Sequence, residues 1–595
     1  MKKRILAAVL VCALLAGCGR QAAAPAEETP EERPIIAYVP LDDRPDNVER
    51  VVYLAESVGY TLAMPEADLY RTRLDGQPAN ENGTQYGDLA ALYEWVLAQE
   101  AAGCDRYMLS MDQLLSGGLV NSRHTAESLT VTLSDGRTMT DTELLERLLT
   151  ALAADGNNRV WLLDSVMRLA PTVGYAGFGI EEYNALRAYG AAPRKEASGT
   201  ELTAEAVTAD YRLGSGEALL RAADFGLTEE QADTYLSARR RKLELSDRMM
   251  EVVSGREYGN FRVLIGIDDS SEEESIQKNE IAYLRSQLRE GDALLSGVDD
   301  LAFKAVAKLY MAESGWDSQT VHAGITYFGG TEDRPACAYD YKPLNEIVEE
   351  HLEFFGVHQL SGGSGAADVE ILVLTQPNVE GMSQTESDRR KKNAYTNLVD
   401  WMKTFRNRQV PVILIDASNG AYGNDFQQAL TEEAELGYLL SYAGFLDMAI
   451  VTGTALSHGF ARYAHLTRGE TSDAEERAFA RTLADSILKD FCYKHVVRED
   501  LLAYIRIDLG GDPNNFWAPE IDREAVLKRL ESGMEQSTRK VLKNLERSKL
   551  IVSLDQSTGN CGEAKWGKIE LENYRFPWDR AFEISMDIRL GAFEK

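Results

Sequence analysis

Histidine and cysteine are scarce, at seven and six in 595 residues. The histidines stand at 124, 322, 351, 358, 458, 465 and 495 and form no H-x-H or H-E-x-x-H pattern, which removes the helical zinc-hydrolase motif. No two cysteines make a CxxC pair, so a zinc ribbon or a thioredoxin-type site is not expected. G-x-S-x-G is absent, and Ser116 and Ser165, though near strand ends, assemble no triad. The glycine-rich stretch 361–365 lacks the Lys-Ser/Thr of a phosphate-binding loop and precedes a strand, so it reads as a linker or tight turn. No cofactor is expected. Positive charge is also short: 63 Lys and Arg against 95 Asp and Glu leave a net charge of -32. Such a chain does not follow a nucleic-acid backbone and is repelled by anionic lipid.

What is present begins with an address. Lys2, Lys3 and Arg4 precede an apolar run, residues 5–15, that is too short for a membrane span. Leu15-Ala16-Gly17-Cys18 follows, and the whole reads as a signal peptide over residues 1–17. The L-A-G-C ending resembles the bacterial lipobox, which implies cleavage before Cys18, lipidation of its sulfur and a membrane partner reached through that lipid. The expected location is the cell envelope, outside the cytoplasm. Losing Lys2, Lys3 and Arg4 brings the charge to about -35. Residues 18–33, rich in Ala, Pro and Glu, read as a flexible tether. Cys12 leaves with the signal, and the four remaining cysteines, 104, 337, 492 and 561, allow one disulfide or buried free thiols. Nothing in the sequence speaks to oligomeric state.

From residue 34 the pattern alternates. Nine β-rich runs (35–40, 60–65, 106–111, 159–164, 261–267, 292–298, 320–328, 369–375 and 410–416) are separated by amphipathic helical stretches. Continuous apolar strands alternating with helices predict β/α units and a parallel sheet. The expected fold class is α/β with a (β/α)-barrel-like core; because nine or ten strands exceed a barrel's eight, two doubly wound domains split near Ser361 are the alternative. Residues 34–360 form the expected catalytic-type body, with a helical insertion or lid at 177–255. Residues 361–470 add further β/α units, and 471–595 form a helical region ending in a strand that docks back. The basic run 238–242 within the insertion reads as one solvated helix face.

Strand ends carry the chemistry. Asp42, Asp43 and Arg44 follow the first run, Asp112 the third, and Asp164 and Arg168 the fourth. Asp268-Asp269 follows the fifth, Asp299-Asp300 the sixth, and Asp416 and Asn419 the ninth. In parallel α/β folds the carboxyl ends of strands converge on one face, where sites form. Any one of these aspartates could simply cap the next helix. Together they predict a polar cleft with Asp268, Asp269, Asp299 and Asp300 as catalytic candidates. Asp42, Asp43, Arg44, Asp112, Arg123, His124, Asp164 and Arg168 are the substrate-binding candidates. Paired carboxyls suit glycoside hydrolysis, one protonating the leaving oxygen while another stabilises the developing positive charge. VLIGIDDS (263–270) resembles the strand end of N-acetylglucosaminidases that use an Asp-Asp pair with the substrate's acetamido group. That resemblance implies that Asp268 orients the acetamido group and Asp269 is the acid. The same oxygens could instead hold Mg or Ca in a metal-assisted hydrolase, or bind a ligand without turnover; no metal ligand set is assigned. Tyr442 and His458 read as packing between strand and helix.

PLDDRP (40–45), SMDQLLSGGLVNSRH (110–124), SVMRLAPT (165–172), GIDDS (266–270), SGVDDLAFKAVAKL (296–309), LLSYAGF (439–445) and FPWDRAFEI (576–584) occur in this order. Together they resemble a bacterial family known as domain of unknown function four-one-two-seven, across essentially everything after the tether. The resemblance brings no activity with it. The chain departs from it at Asp299-Asp300, where the family tends to end its acidic pair in Glu, and at Phe445-Leu446-Asp447, where the family tends to have W-N-T. The function expected is a surface-anchored hydrolase of a small-molecule or glycan substrate.

Overall fold

The structure, a computed structural model, describes residues 33–594 apart from 198–201, 257, 271–273, 445–447, 470, 517 and 579. Cys18, the signal peptide, the tether up to residue 32 and the departure at 445–447 therefore lie outside the described residues.

Eleven strands form two open, wholly parallel sheets. The first has β1 (Ile35–Val39), β2 (Thr61–Ala63), β3 (Arg106–Ser110), β6 (Arg159–Val166), β7 (Phe261–Ile267) and β8 (Ala293–Ser296), in the order β2-β1-β3-β6-β7-β8. A small hairpin, β4 (Thr130–Thr132) with β5 (Thr138–Thr140), lies outside it. The second sheet has β9 (Val321–Phe328), β10 (Val357–Ser361), β11 (Val369–Leu374), β12 (Val412–Asp416) and β13 (Ser441–Gly444), ordered β10-β9-β11-β12-β13. Both sheets thus run outward from their first strand in two directions, and each has a switch point where the order reverses. All nine runs are strands, the further strand-like stretch 438–444 contains β13, and β10, short and exposed at an edge, is the sheet strand the sequence reading lacks.

Alternate residues of each strand enter different cores. In the first sheet Ala37, Val39, Leu162 and Val263 face an outer helical layer that includes Leu89–Ala101, Asp141–Leu152 and Glu229–Gly255. Ile36, Tyr38, Leu163 and Leu264 face inward, into the core that also receives Ala323, Ile371 and Ile413 of the second sheet. The helices between the sheets, Leu301–Glu313 and Met448–Thr467, contribute apolar residues to that shared core. The other face of the second sheet, including Leu372 and Leu414, is covered by a third layer.

The barrel-like core expected from the alternation is not formed, and helices on both faces of two open sheets match the doubly wound alternative. The reason is visible in Leu301–Glu313, which is buried nearly all round. A barrel's outer helices keep a polar face to solvent; a helix without one must lie between two packed surfaces. The change of sheet falls between β8 and β9, ahead of Ser361, and 361–365 instead turns the chain from β10 into β11. Segment 177–255 is helical, but its basic run is not a solvated face. Arg239, Arg241 and Lys242 are buried and ion-paired with Glu280, Asp141, and Asp112 plus Asp164 respectively, while Arg240 is exposed.

The chain ends in two antiparallel pairs, β14 (Lys549–Asp555) with β15 (Asn560–Lys565) and β16 (Ile569–Arg575) with β17 (Ser585–Leu590). The described cysteines are free thiols. No described helix is long and apolar enough to cross a membrane.

Candidate functional site

A cleft of about 400 Å³ opens at the carboxyl ends of the first sheet's strands. It collects residues following β1, β3, β6, β7 and β8, and is closed by β13, the helix Met448–Thr467, residues 490–498 and the turn between β16 and β17. It includes the switch point between β1 and β3, where open parallel sheets place their ligands.

The charge after β1 now has a structural account. Asp42 is fully buried, accepting hydrogen bonds from the Arg44 backbone N–H at 3.0 Å, Arg44 Nε at 2.9 Å and Asn47 Nδ2 at 2.9 Å. It is a clamp that aims Arg44 into the cleft. Arg44 there donates from both terminal nitrogens to Asp299, one bond measuring 3.0 Å, and comes within 3.7 Å of Glu583. Asp43 turns the other way. It accepts from Trp578 Nε1 at 2.7 Å and faces a neighbouring cavity of about 460 Å³. Burial, with Asp42 close by, pushes its carboxyl up to about 6.

Two further arginine–aspartate pairs line the cleft. Arg123 holds Asp268, with one bond at 2.9 Å, and is itself fixed to Thr172 Oγ1 at 2.9 Å. Arg168 pairs with Asp269 at 3.1 Å and lies over the Tyr183 ring. Asp268 is almost enclosed, with a side-chain exposure of 3%, whereas Asp269 keeps 23% and Asp299 20%. Of these three aspartates, the last two are therefore the ones a ligand can reach. Burial pushes Asp299 up to about 6; Arg44 opposes this rise, while Asp42 and Asp268 add to it. A carboxyl titrating there can give and take a proton near neutral pH.

The other sequence candidates lie elsewhere. Asp300 points away, fully buried on Lys304 at 2.9 Å, and burial raises it to about 6. Asp112 and Asp164 meet Lys242 on the outer-helix side, where Ser165 Oγ also donates to Asp112 at 2.7 Å. His124 accepts from the Thr172 N–H at 3.1 Å and contacts Tyr175 and Phe178; burial, then Arg123, holds it down at about 4. Asp416 belongs to the second sheet, where it accepts from Ser418 Oγ and Tyr442 OH. His458 is buried against Phe303.

Sequence reading missed the opposite wall: Arg50, Asp490, Lys494 and Arg498, and above all Trp578, Arg580, Phe582 and Glu583. The signal existed in FPWDRAFEI, which the sequence reading uses as a family motif and a docking strand but to which it assigns no site residue. Among the described residues seven cationic side chains and six carboxylates line the cleft. No described group of three or more His, Cys, Asp or Glu is arranged to hold a metal.

Two open parallel sheets sharing a helical layer, with a cleft of arginine-paired carboxylates at the first sheet's strand ends, define an α/β protein with a polar site. The profile of the family described as protein of unknown function (DUF4127) matches residues 36–587, and the chain belongs to that family. No curated protein and no solved structure matches it.

Proposed function

We propose that the chain is a glycoside hydrolase acting in this cleft, with Asp299 as the proton-transferring carboxyl and Asp269 as the ion-paired carboxylate. The observation that carries the reading is the placement of Asp299. It is reachable, titrates near neutrality and lies near the Asp268-Asp269 strand end, in a cavity of saccharide size. Two carboxyls in unlike environments are what acid-catalysed glycosidic cleavage needs. Trp578, Tyr183, Tyr339 and Phe582 offer apolar ring faces beside these polar groups, which suits the amphipathic surface of a sugar ring. The acid role passes from Asp269 to Asp299 because burial raises the Asp299 carboxyl to about 6 even against Arg44. With Cys18 lipidated, the enzyme would work on glycans at the envelope surface.

The test is a screen of the purified full chain against aryl glycosides, N-acetylhexosaminides included, with and without EDTA. The expected result is aglycone release that ignores EDTA and disappears in Asp299→Asn. Loss in EDTA with recovery on adding a divalent ion would move the assignment to a metal-assisted hydrolase. No release from any glycoside would remove the hydrolase reading.

A further inference from the structure

One guanidinium in the cleft is poorly neutralised. Arg580, in the turn between β16 and β17, reaches Glu583 only at 3.4 Å, and its Nε is buried with no hydrogen-bond partner. Glu583 is also shared with Arg44 at 3.7 Å. The Arg580 guanidinium lies 4.5 Å from the Trp578 ring centre and 5.0 Å from that of Phe582, and Arg44 stacks over the same Trp578 at 5.2 Å. Two arginines thus approach one indole and divide one glutamate. Burial and the charge of Arg44 both disfavour the charged form of Arg580. In a chain of net charge -32, a half-buried cation left with a long ion pair and an unused N–H is a recognition element available to an anion.

We infer that this end of the cleft is an oxyanion subsite, in which Arg580, held on Trp578 beside Arg44, binds a carboxylate carried by the substrate. The substrate class is then an acidic saccharide, a hexuronide in the simplest case. Arginine presents a planar fork that fits a carboxylate in two-point fashion, and the aromatic faces fix that fork before the ligand arrives. The inference rests on the reading of the cleft as a saccharide site, and it concerns which saccharide is taken.

Matched pairs of 4-nitrophenyl glycosides test it, a hexuronide against the neutral hexoside of the same configuration. Binding is measured by calorimetry on the full chain alongside turnover. The hexuronide of at least one pair should bind about tenfold or more tighter than its neutral partner, the scale of one charge-assisted contact. Arg580→Gln should erase that preference, read as the ratio of hexuronide to neutral-glycoside affinity within each pair, while Arg580→Lys should restore part of it. Equal affinities in every pair, no binding of any hexuronide, or a preference that survives Arg580→Gln would each overturn the subsite. A hexuronide bound through Arg580, with no glycoside of either kind cleaved, would sustain the subsite and sink the hydrolase. Cleavage of neutral glycosides with no hexuronide preference in binding would do the reverse.

Discussion

Asp299 and Asp300 are neighbours with opposite tasks. Asp299 faces the cleft on Arg44, and Asp300 faces the core on Lys304. Asp299→Asn should therefore leave the fold intact and remove turnover. Lys304→Met should leave the buried Asp300 carboxylate without its counter-charge and lower stability by about 3–5 kcal/mol, read from urea denaturation. Arg44 supplies the main force lowering Asp299. Arg44→Lys, which cannot repeat the two-point contact, should shift the titration of Asp299 to higher pH in a pH–rate profile. The sequence placed all these residues at strand ends, yet could not say which aspartate of a pair turns inward. A partial signal was available in Lys304, four residues after Asp300 and on the same helix face.

At the level of the element, the helix Glu229–Gly255 shows how a charge run misleads. Arg239, Lys242 and Ser246 recur at helical spacing on a buried face, and each meets a carboxylate. Lys242→Met should strand Asp112 and Asp164 and cost about 3–5 kcal/mol. Arg240→Ala, on the exposed side, should change the same denaturation midpoint by less than about 0.5 kcal/mol. Composition made the run look solvated because its partners come from segments distant in the chain, out of reach of any local pattern. The turn between β16 and β17 was missed for the same reason. Its Trp578 binds Asp43 across 535 residues of sequence. Trp578→Ala should weaken glycoside binding in calorimetry, while Trp578→Phe, which keeps a ring beneath Arg44 and Arg580, should retain more of it.

For the whole molecule, apolar runs alternating with helices were enough to read a parallel α/β chain and ten of its eleven sheet strands. Closure was not legible, because order along the chain is the same for a barrel and for open sheets. What separates them is the burial of Leu301–Glu313 between two surfaces, and its apolar composition is the one trace of that left in the sequence. Burial also sets the acid stability. His124 is held down at about 4, and His351, His458 and His465 at about 3, so the folded state keeps them neutral. The unfolded chain binds more protons as pH falls below about 6.5, and these four sites lose stability there. Asp43, Asp299 and Asp300, raised to about 6, act the other way, since their protonated forms favour the fold between about 6 and 4. Four large histidine shifts outweigh three smaller aspartate shifts, so the melting temperature should fall between pH 6.5 and 4. A melting temperature that held or rose over that range would contradict the burial of the histidines.

The most direct test of the central claim is the pH dependence of kcat/KM for wild type and Asp299→Asn on the best glycoside found. A proton donor works only while protonated, so wild-type activity should fall as pH rises through about 6. The variant should be roughly 100-fold or more slower, with that limb gone. A correctly folded Asp299→Asn protein with wild-type rate and the same profile would contradict the account.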